Sequence, residues 1–253
     1  MLPRLFVDIA LAPNSEFELP PGAARHVQVL RLQPGAAITL FNGAGGEWTA
    51  QLLAIGRKSV RIRLEAFHAV DRELPIRVTL ALGMPANERM DALVEKATEL
   101  GVVVIQPLLC TRSVLRLSGE RAQRRCAHWQ AVAQSASEQS GATRLPRVAQ
   151  VRAIADWLSS LAPLETGRRG EQRLLLSANA PLRLDSTLDA VPVACDWISL
   201  SGPEGGLTSD EESAARQRGF TPVSLGSRIL RADTAPLALV ARLAQLEGFP
   251  SAP

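Results

Sequence analysis

The chain has 253 residues, 46% of them hydrophobic and 21% charged, with a formal net charge of +3. That length and balance suit one large or two modest folded domains and exclude a disordered or fibrous chain. No apolar run approaches the roughly 20 residues a membrane helix needs, and the start MLPRLFVDIA lacks a signal-peptide layout.

From the beginning to about residue 71 the text reads as short β segments. Alternation marks residues 38–41, 48–52 and 59–64, and turn signals at Pro34-Gly35, at Asn42-Gly43-Ala44-Gly45-Gly46 and at Gly56 separate them. Strands so short and close predict a small β-barrel, with Arg61 and Arg63 sharing the outward face of one strand. One helical turn over residues 22–30 carries His26. No aromatic pair stands out on these strands and tyrosine is absent, so base stacking is not expected to be the barrel's main device.

Residues 65–73 form the expected boundary, which divides the chain into domains 1–72 and 73–253. A strand over 76–82 ends at Gly83. The helix over 89–100 follows, with Met90, Leu93, Val94, Ala97 and Leu100 at helical spacing. Gly101 ends it, and Val102-Val103-Val104-Ile105 is the continuous apolar run of a strand covered on both sides, completing a βαβ unit. A longer helix over 118–140 carries Trp129. Around it, between Thr111 and Arg152, eight arginines face two acids, a balance that suits either a phosphate backbone or an ordinary solvated face. Residues 161–172 read as a loop, 174–179 as a buried strand and 184–193 as a polar, turn-rich stretch. The three cysteines, Cys110, Cys126 and Cys195, share neither metal-ligand nor disulfide spacing, so no metal and a reduced cytoplasm are expected.

The stretch from Ser199 to Leu239 holds two glycine-bearing loops, each at the end of a short apolar run and each leading toward a helix. Trp197-Ile198-Ser199-Leu200 feeds Gly202-Pro203-Glu204-Gly205-Gly206. Thr208 with Glu211 three residues on makes a capping box, and Gly219 stops that helix. Val223-Ser224-Leu225 feeds Gly226-Ser227-Arg228-Ile229-Leu230-Arg231, and the last helix starts near Thr234 with Pro236 in its first turn. Two strand-loop-helix units in tandem predict a parallel α/β sheet with its ligand at the carboxyl ends of the strands. Glycines there let a ligand approach the backbone.

GPEGGL at 202–207 and SLGSRILRADTAPL at 224–237 resemble the RsmE-type 16S ribosomal RNA (uracil-N3)-methyltransferases of the SPOUT superfamily. The resemblance extends to ERMDALVEKATELGV at 88–102, EQSGATRLP at 138–146, and PRLF and HVQVLRL near the N-terminus. It implies a PUA-like barrel ahead of a mostly parallel, trefoil-knotted methyltransferase domain, and a homodimer that binds S-adenosyl-L-methionine. The substrate it implies is a uridine of 16S rRNA, within the small ribosomal subunit.

Carried over residue by residue, the resemblance gives cofactor contacts at Leu176, Ser177, Gly202, Gly206, Leu225, Gly226, Ile229, Leu230 and Thr234. RNA contacts fall at Arg4, His26, Arg31 and Arg144, with Arg228 a candidate for a phosphate. This sequence departs from the pattern at Ala142, where an arginine is common, and at Ala232-Asp233, where Thr-Glu is usual. Methylating N3 of uracil requires removing its proton and stabilising the resulting anion. Arg231 is the candidate for the anion, its alternative being a salt bridge across the loop. Glu204 is the candidate for the proton or for the cofactor's amino group. Two other classes stand beside this one. A phosphate-binding enzyme would use the same loops, although neither reads G-x-G-x-x-G nor G-x-x-x-x-G-K-[ST]. A non-catalytic RNA-binding assembly factor would use only the barrel and the basic helix.

Overall fold

The computed structural model describes residues 2–86, 88–164, 170–188 and 196–246. Cys195, residues 165–169 of the expected loop and residues 189–193 of the turn-rich stretch lie outside these. The chain divides into two compact units: Met1–Glu73 with Gln134–Leu145, and Leu74–Ala133 with Pro146–Pro253. A division placed after residue 72 had left 134–145 to the second domain. Those residues pack instead with the first unit.

In the first unit, strands β1 (Arg4–Phe6), β2 (Glu16–Glu18), β3 (Ala37–Phe41), β4 (Glu47–Ile55) and β5 (Val60–His68) form one sheet in the order β1-β3-β4-β5-β2. Only β1 and β3 run parallel. Alternation places Ile38 and Leu40, Ala50 and Leu52, and Val60, Ile62 and Leu64 on the inner face, where α1 (Pro21–Val29) adds Ala23, Ala24 and Val27 to the same core. Arg63 on the outer face is held by Glu16 of β2 at 2.6 Å. Trp48 and Phe67 are cross-strand partners with ring centroids 5.0 Å apart, a pair that inspection of the individual strands does not reveal.

The returning segment is fastened to β1 by side chains. Glu138 accepts from the Phe6 N–H at 2.9 Å and faces His26 Nδ1 at 3.2 Å. Arg4 is only 8% exposed, donates to the Ala142 carbonyl at 2.8 Å, binds Glu47 and lies over the Phe41 ring. Burial works to raise the Glu47 carboxyl, but hydrogen bonds from Arg72 and Arg4 outweigh it and hold the group below its ordinary value.

The second unit carries β6 (Val78–Gly83), α2 (Glu88–Glu99), β7 (Val104–Leu109), most of α3 (Gly119–Ser140), β8 (Arg147–Val148), β9 (Arg152–Ala153), α4 (Ile154–Ser160), β10 (Glu171–Leu176), α5 (Leu184–Leu188), β11 (Asp196–Ser201), α6 (Ser209–Gln217), β12 (Thr221–Val223) and α7 (Thr234–Leu243). Its strands run β12-β10-β11-β6-β7-β8, with β9 also on β7, and every pairing is parallel. Helices cover both faces. Val78, Leu80, Leu82, Ile105 and Trp197 pack under α2, α3 and α7, while Ala81, Leu108, Leu175 and Leu200 pack under α4 and α6. That double cover is why these strands read as continuous apolar runs. A turn-rich stretch was expected from residue 184, but the chain forms the short α5 there, because Leu184 and Leu188 share one face and both are buried.

Candidate functional site

The chain leaves β10, β11 and β12 at the same edge of the sheet, and there a cavity of about 510 Å³ opens. Its walls are Leu176 to Asn179 after β10, the loop 201–207 after β11, and residues 223–232 after β12. Both glycine loops singled out in the sequence thus meet at one place.

The first loop is folded tightly on itself. The Gly206 N–H donates to the Pro203 carbonyl at 2.8 Å, and Gly206 takes φ +69°, a left-handed conformation that glycine tolerates best. A Cβ on Gly202 would lie 2.7 Å from the Leu207 nitrogen, and one on Gly83, at the end of β6, would lie 2.4 Å from Pro203 Cδ. Two glycines therefore let backbone meet backbone where the cavity wall begins.

The loop is also held from outside. Arg112 donates to the carbonyls of Gly205 and Leu207 at 3.0 and 3.3 Å. Glu204 Oε1 accepts from the Ala86 N–H at 2.9 Å and faces Arg89 at 3.7 Å, which joins the loop to the turn between β6 and α2. At the start of α6 the expected capping box is present: Thr208 Oγ1 accepts from the Glu211 N–H at 3.2 Å, and Glu211 Oε2 accepts from the Thr208 N–H at 2.8 Å. Glu211 Oε1 further accepts from Thr111 N and Oγ1 at 2.8 and 3.0 Å.

Burial pushes the Glu211 carboxyl up, yet the hydrogen bonds from Thr208 and Thr111 prevail and lower it overall. A carboxylate lowered on folding contributes stability above its unfolded value and loses it as pH falls through its folded one. Glu211→Ala is therefore expected to cost about 1–3 kcal/mol at neutral pH, because it orphans three donors at once. Thermal melts across pH check this, and the gap between variant and wild type should shrink in strong acid.

The second loop begins where Ser224 bridges Arg183 and its N–H donates to the Leu182 carbonyl at 2.8 Å. Gly226 takes φ +133°. Arg228, Ile229 and Arg231 then stand exposed, Ile229 at 86%, and the Arg231 carbonyl accepts from the N–H groups of Thr234 and Ala235 at 3.0 Å to start α7. Neither Arg228 nor Arg231 has an ion-pair partner among the described residues, which leaves both guanidinium groups free at the cavity. Asp233 sits at the helix start without capping it, and its buried Oδ1 has no partner among the described residues.

The structure thus brings Leu176, Ser177, Gly202, Glu204, Gly206, Leu225, Gly226, Arg228, Ile229, Leu230 and Arg231 together around one cavity. Thr234 is exposed on α7 and does not line it. Arg4, His26, Arg31 and Arg144 belong to the first unit. Arg31 and Arg144 are exposed, and Arg31 adopts a left-handed φ of +53°. Arg4, by contrast, is an internal tie of that unit. Sequence reading missed Arg89 and Arg112 on the cavity wall, while Asn179 stands there as the end of the stretch 174–179. For Arg112 a signal existed, since it follows the buried strand β7 and so stands at the same carboxyl edge. Among the described residues no cluster of His, Cys, Asp or Glu could hold a metal ion.

Residues 72–244 match the family model of an RNA methyltransferase domain, and residues 19–65 match that of an RNA methyltransferase PUA domain. The ribosomal RNA small subunit methyltransferase E of Synechocystis sp. is 36% identical over 216 residues, covering 85% of this chain and 68% of that protein. The protein of the same name from Rickettsia conorii is 30% identical over 245 residues, covering 95% and 94%. Among solved structures, ribosomal RNA small subunit methyltransferase E from Neisseria gonorrhoeae, bound to S-adenosyl methionine, superposes with a TM-score of 0.87 at 33% identity over 97% of this chain and 98% of that one. A parallel sheet that opens a glycine-walled cavity beyond its last three strands is accordingly the RNA methyltransferase domain of this chain, which belongs to that family.

Proposed function

We propose that this chain transfers a methyl group from S-adenosyl-L-methionine to N3 of a uridine in 16S rRNA of the small ribosomal subunit. The observation that carries the reading is the cavity itself, with two glycine loops at its wall and two guanidinium groups beside it that have no ion-pair partner among the described residues. Its volume lies within the range of roughly 300–1,000 Å³ usual for small-molecule sites. A Cβ built on Gly206 or Gly226 meets nothing within 4 Å, so both glycines leave room where a bound molecule would lie against backbone. Leu176, Leu225 and Leu230 supply apolar wall, and Ser177, Gly202 and Gly206 supply polar backbone, a mixture that fits a nucleoside joined to an amino acid. Once bound, S-adenosyl-L-methionine supplies an electrophilic methyl group on a sulfonium.

The chain's own residues do the rest. A neutral uracil imide is a poor nucleophile, so its N3 proton must leave. Arg231, at the cavity wall, stabilises the negative charge then shared by N3 and the two carbonyl oxygens, and Arg228 holds a neighbouring phosphate. Holding both reactants in line supplies several kcal/mol of the barrier.

Glu204 has two candidate roles, and Glu204→Gln separates them, because Gln keeps an acceptor for the Ala86 N–H while losing charge and basicity. If the carboxylate takes the proton, kcat falls by about 10²-fold or more with donor affinity kept. If it holds the cofactor's amino group, calorimetry shows weakened donor binding. His26, Arg31 and Arg144 remain the RNA candidates of the first unit, and of these the two arginines are exposed. Replacing either arginine with Ala should weaken capture of the small subunit and lower the slope of log affinity against log salt by about one.

We further infer a homodimer, supported by the large exposed side chain of Ile229 at the cavity mouth, which a second copy would cover. The trefoil knot and a cytoplasmic location complete the reading. Among the described residues no helix is long and apolar enough to cross a membrane. The experiment for the function is to incubate the protein and labelled donor with small subunits from cells lacking it. Mass spectrometry of the nucleosides should yield N3-methyluridine in 16S rRNA, and label at any other position or none would sink the proposal.

A further inference from the structure

The first unit ends its inner face in an unusual way. Along β4, Trp48 follows the inward positions Leu52 and Ala50 and packs at the margin of the core. Along β5 the inward positions are Val60, Ile62 and Leu64, so strict alternation would turn Phe67 outward. Between the pairs Thr49–Ala66 and Ala50–Leu64, however, the register shifts by one residue, and Glu65 is the extra one. That bulge turns Phe67 back to the face of Trp48, the kind of re-aiming for which bulges serve. The two rings stand 5.0 Å apart at 52°, and Phe67 stays 50% exposed.

The position of the outer ring is enforced. A Cβ on Gly46 would fall 2.4 Å from Phe67 Cζ, so the tip of the ring fits only against a bare glycine backbone. Next to it, a Cβ on Gly45 would fall 3.2 Å from a terminal guanidinium nitrogen of Arg144, which is exposed and has no ion-pair partner among the described residues. The nearby acids are already engaged: Glu47 by Arg4 and Arg72, and Glu73 by the N–H groups of Thr143 and Arg144 and the Thr143 hydroxyl. The outcome is a half-exposed aromatic shelf with a free cation beside it.

The geometry points to a stacking site for one unpaired RNA base on Phe67 and Trp48, with Arg144 at the adjoining phosphate. This rests on the reading of the chain as an RNA-modifying enzyme. An aromatic ring accepts any base on its face, and the guanidinium selects a polyanion over an apolar peptide. Stacking of one base is worth roughly 5- to 150-fold in affinity.

The test uses the full chain and a short single-stranded oligouridylate. Trp129, Trp157 and Trp197 are buried, which leaves the half-buried Trp48 as the indole that a stacked base should quench. Oligonucleotide should quench tryptophan emission, and Phe67→Leu should weaken binding roughly 5- to 150-fold without changing the salt slope. Phe67→Tyr, which keeps the ring, should bind as the wild type does, and Arg144→Ala should lower the slope by about one. Unchanged emission at high oligonucleotide concentration, or a Phe67→Leu variant that binds as tightly as wild type, overturns the stacking site. Failure of the wild type to methylate small subunits is a separate result and overturns the enzymatic reading instead.

Discussion

Arg231→Ala is expected to lower methyl transfer to small subunits by about 10²–10³-fold, the usual cost of removing one group aimed at developing negative charge. Its affinity for S-adenosyl-L-methionine should stay within a few-fold of wild type. The separation follows from which atoms of Arg231 do structural work. Its carbonyl accepts the first N–H groups of α7, and substitution leaves that intact. Its side chain is exposed and has no ion pair or hydrogen bond among the described residues, so trimming it breaks neither there. Arg231→Lys keeps the charge but loses the planar fork, and should fall between the two. Single-turnover rates measured beside calorimetric affinities decide the matter, and equal activity in Arg231→Ala and wild type would remove this residue from the mechanism.

Gly202→Ala should be nearly as damaging, for a steric reason. The added methyl would stand 2.7 Å from the Leu207 nitrogen and 2.8 Å from the Gly206 carbonyl carbon. Backbone atoms cannot swing aside as a side chain does, so the loop must open and carry the cavity wall with it. A displacement of order 1 Å costs about 10²-fold in rate, and here donor affinity should fall as well. Gly22→Ala is the control: it lies in α1 with nothing within 4 Å of the new methyl, and should be neutral or stabilising by about 0.5–1 kcal/mol.

Much of this architecture is legible in the amino-acid sequence. Parallel strands showed as apolar runs because helices cover both their faces, and the capping box at Thr208 and the left-handed Gly219, at φ +82°, marked both ends of α6. The two glycine loops were legible for a related reason, since close backbone approach leaves glycine as its trace. What stayed hidden depends on distant partners. Nothing local distinguishes Arg4, bound to Glu47 and Ala142, from an arginine meant for phosphate. Glu204 reads as a free acid until Ala86 is placed beside it. The pairing of Trp48 with Phe67 depends on a one-residue bulge, and β-pattern reading assumes strict alternation. Thr234 was drawn to the cavity by its place in a motif, whereas its neighbours Ala232 and Ala235 line the wall and Thr234 does not.

The most direct measurement of the central claim is calorimetric titration of the wild-type chain and of Gly206→Val with S-adenosyl-L-methionine. Gly206 combines a left-handed φ with open space at the cavity, so a β-branched side chain there should both strain the loop and occupy the ligand's place. The wild type should show saturable binding that the variant loses. No heat of binding in the wild type, or equal affinity in the two proteins, would contradict the account.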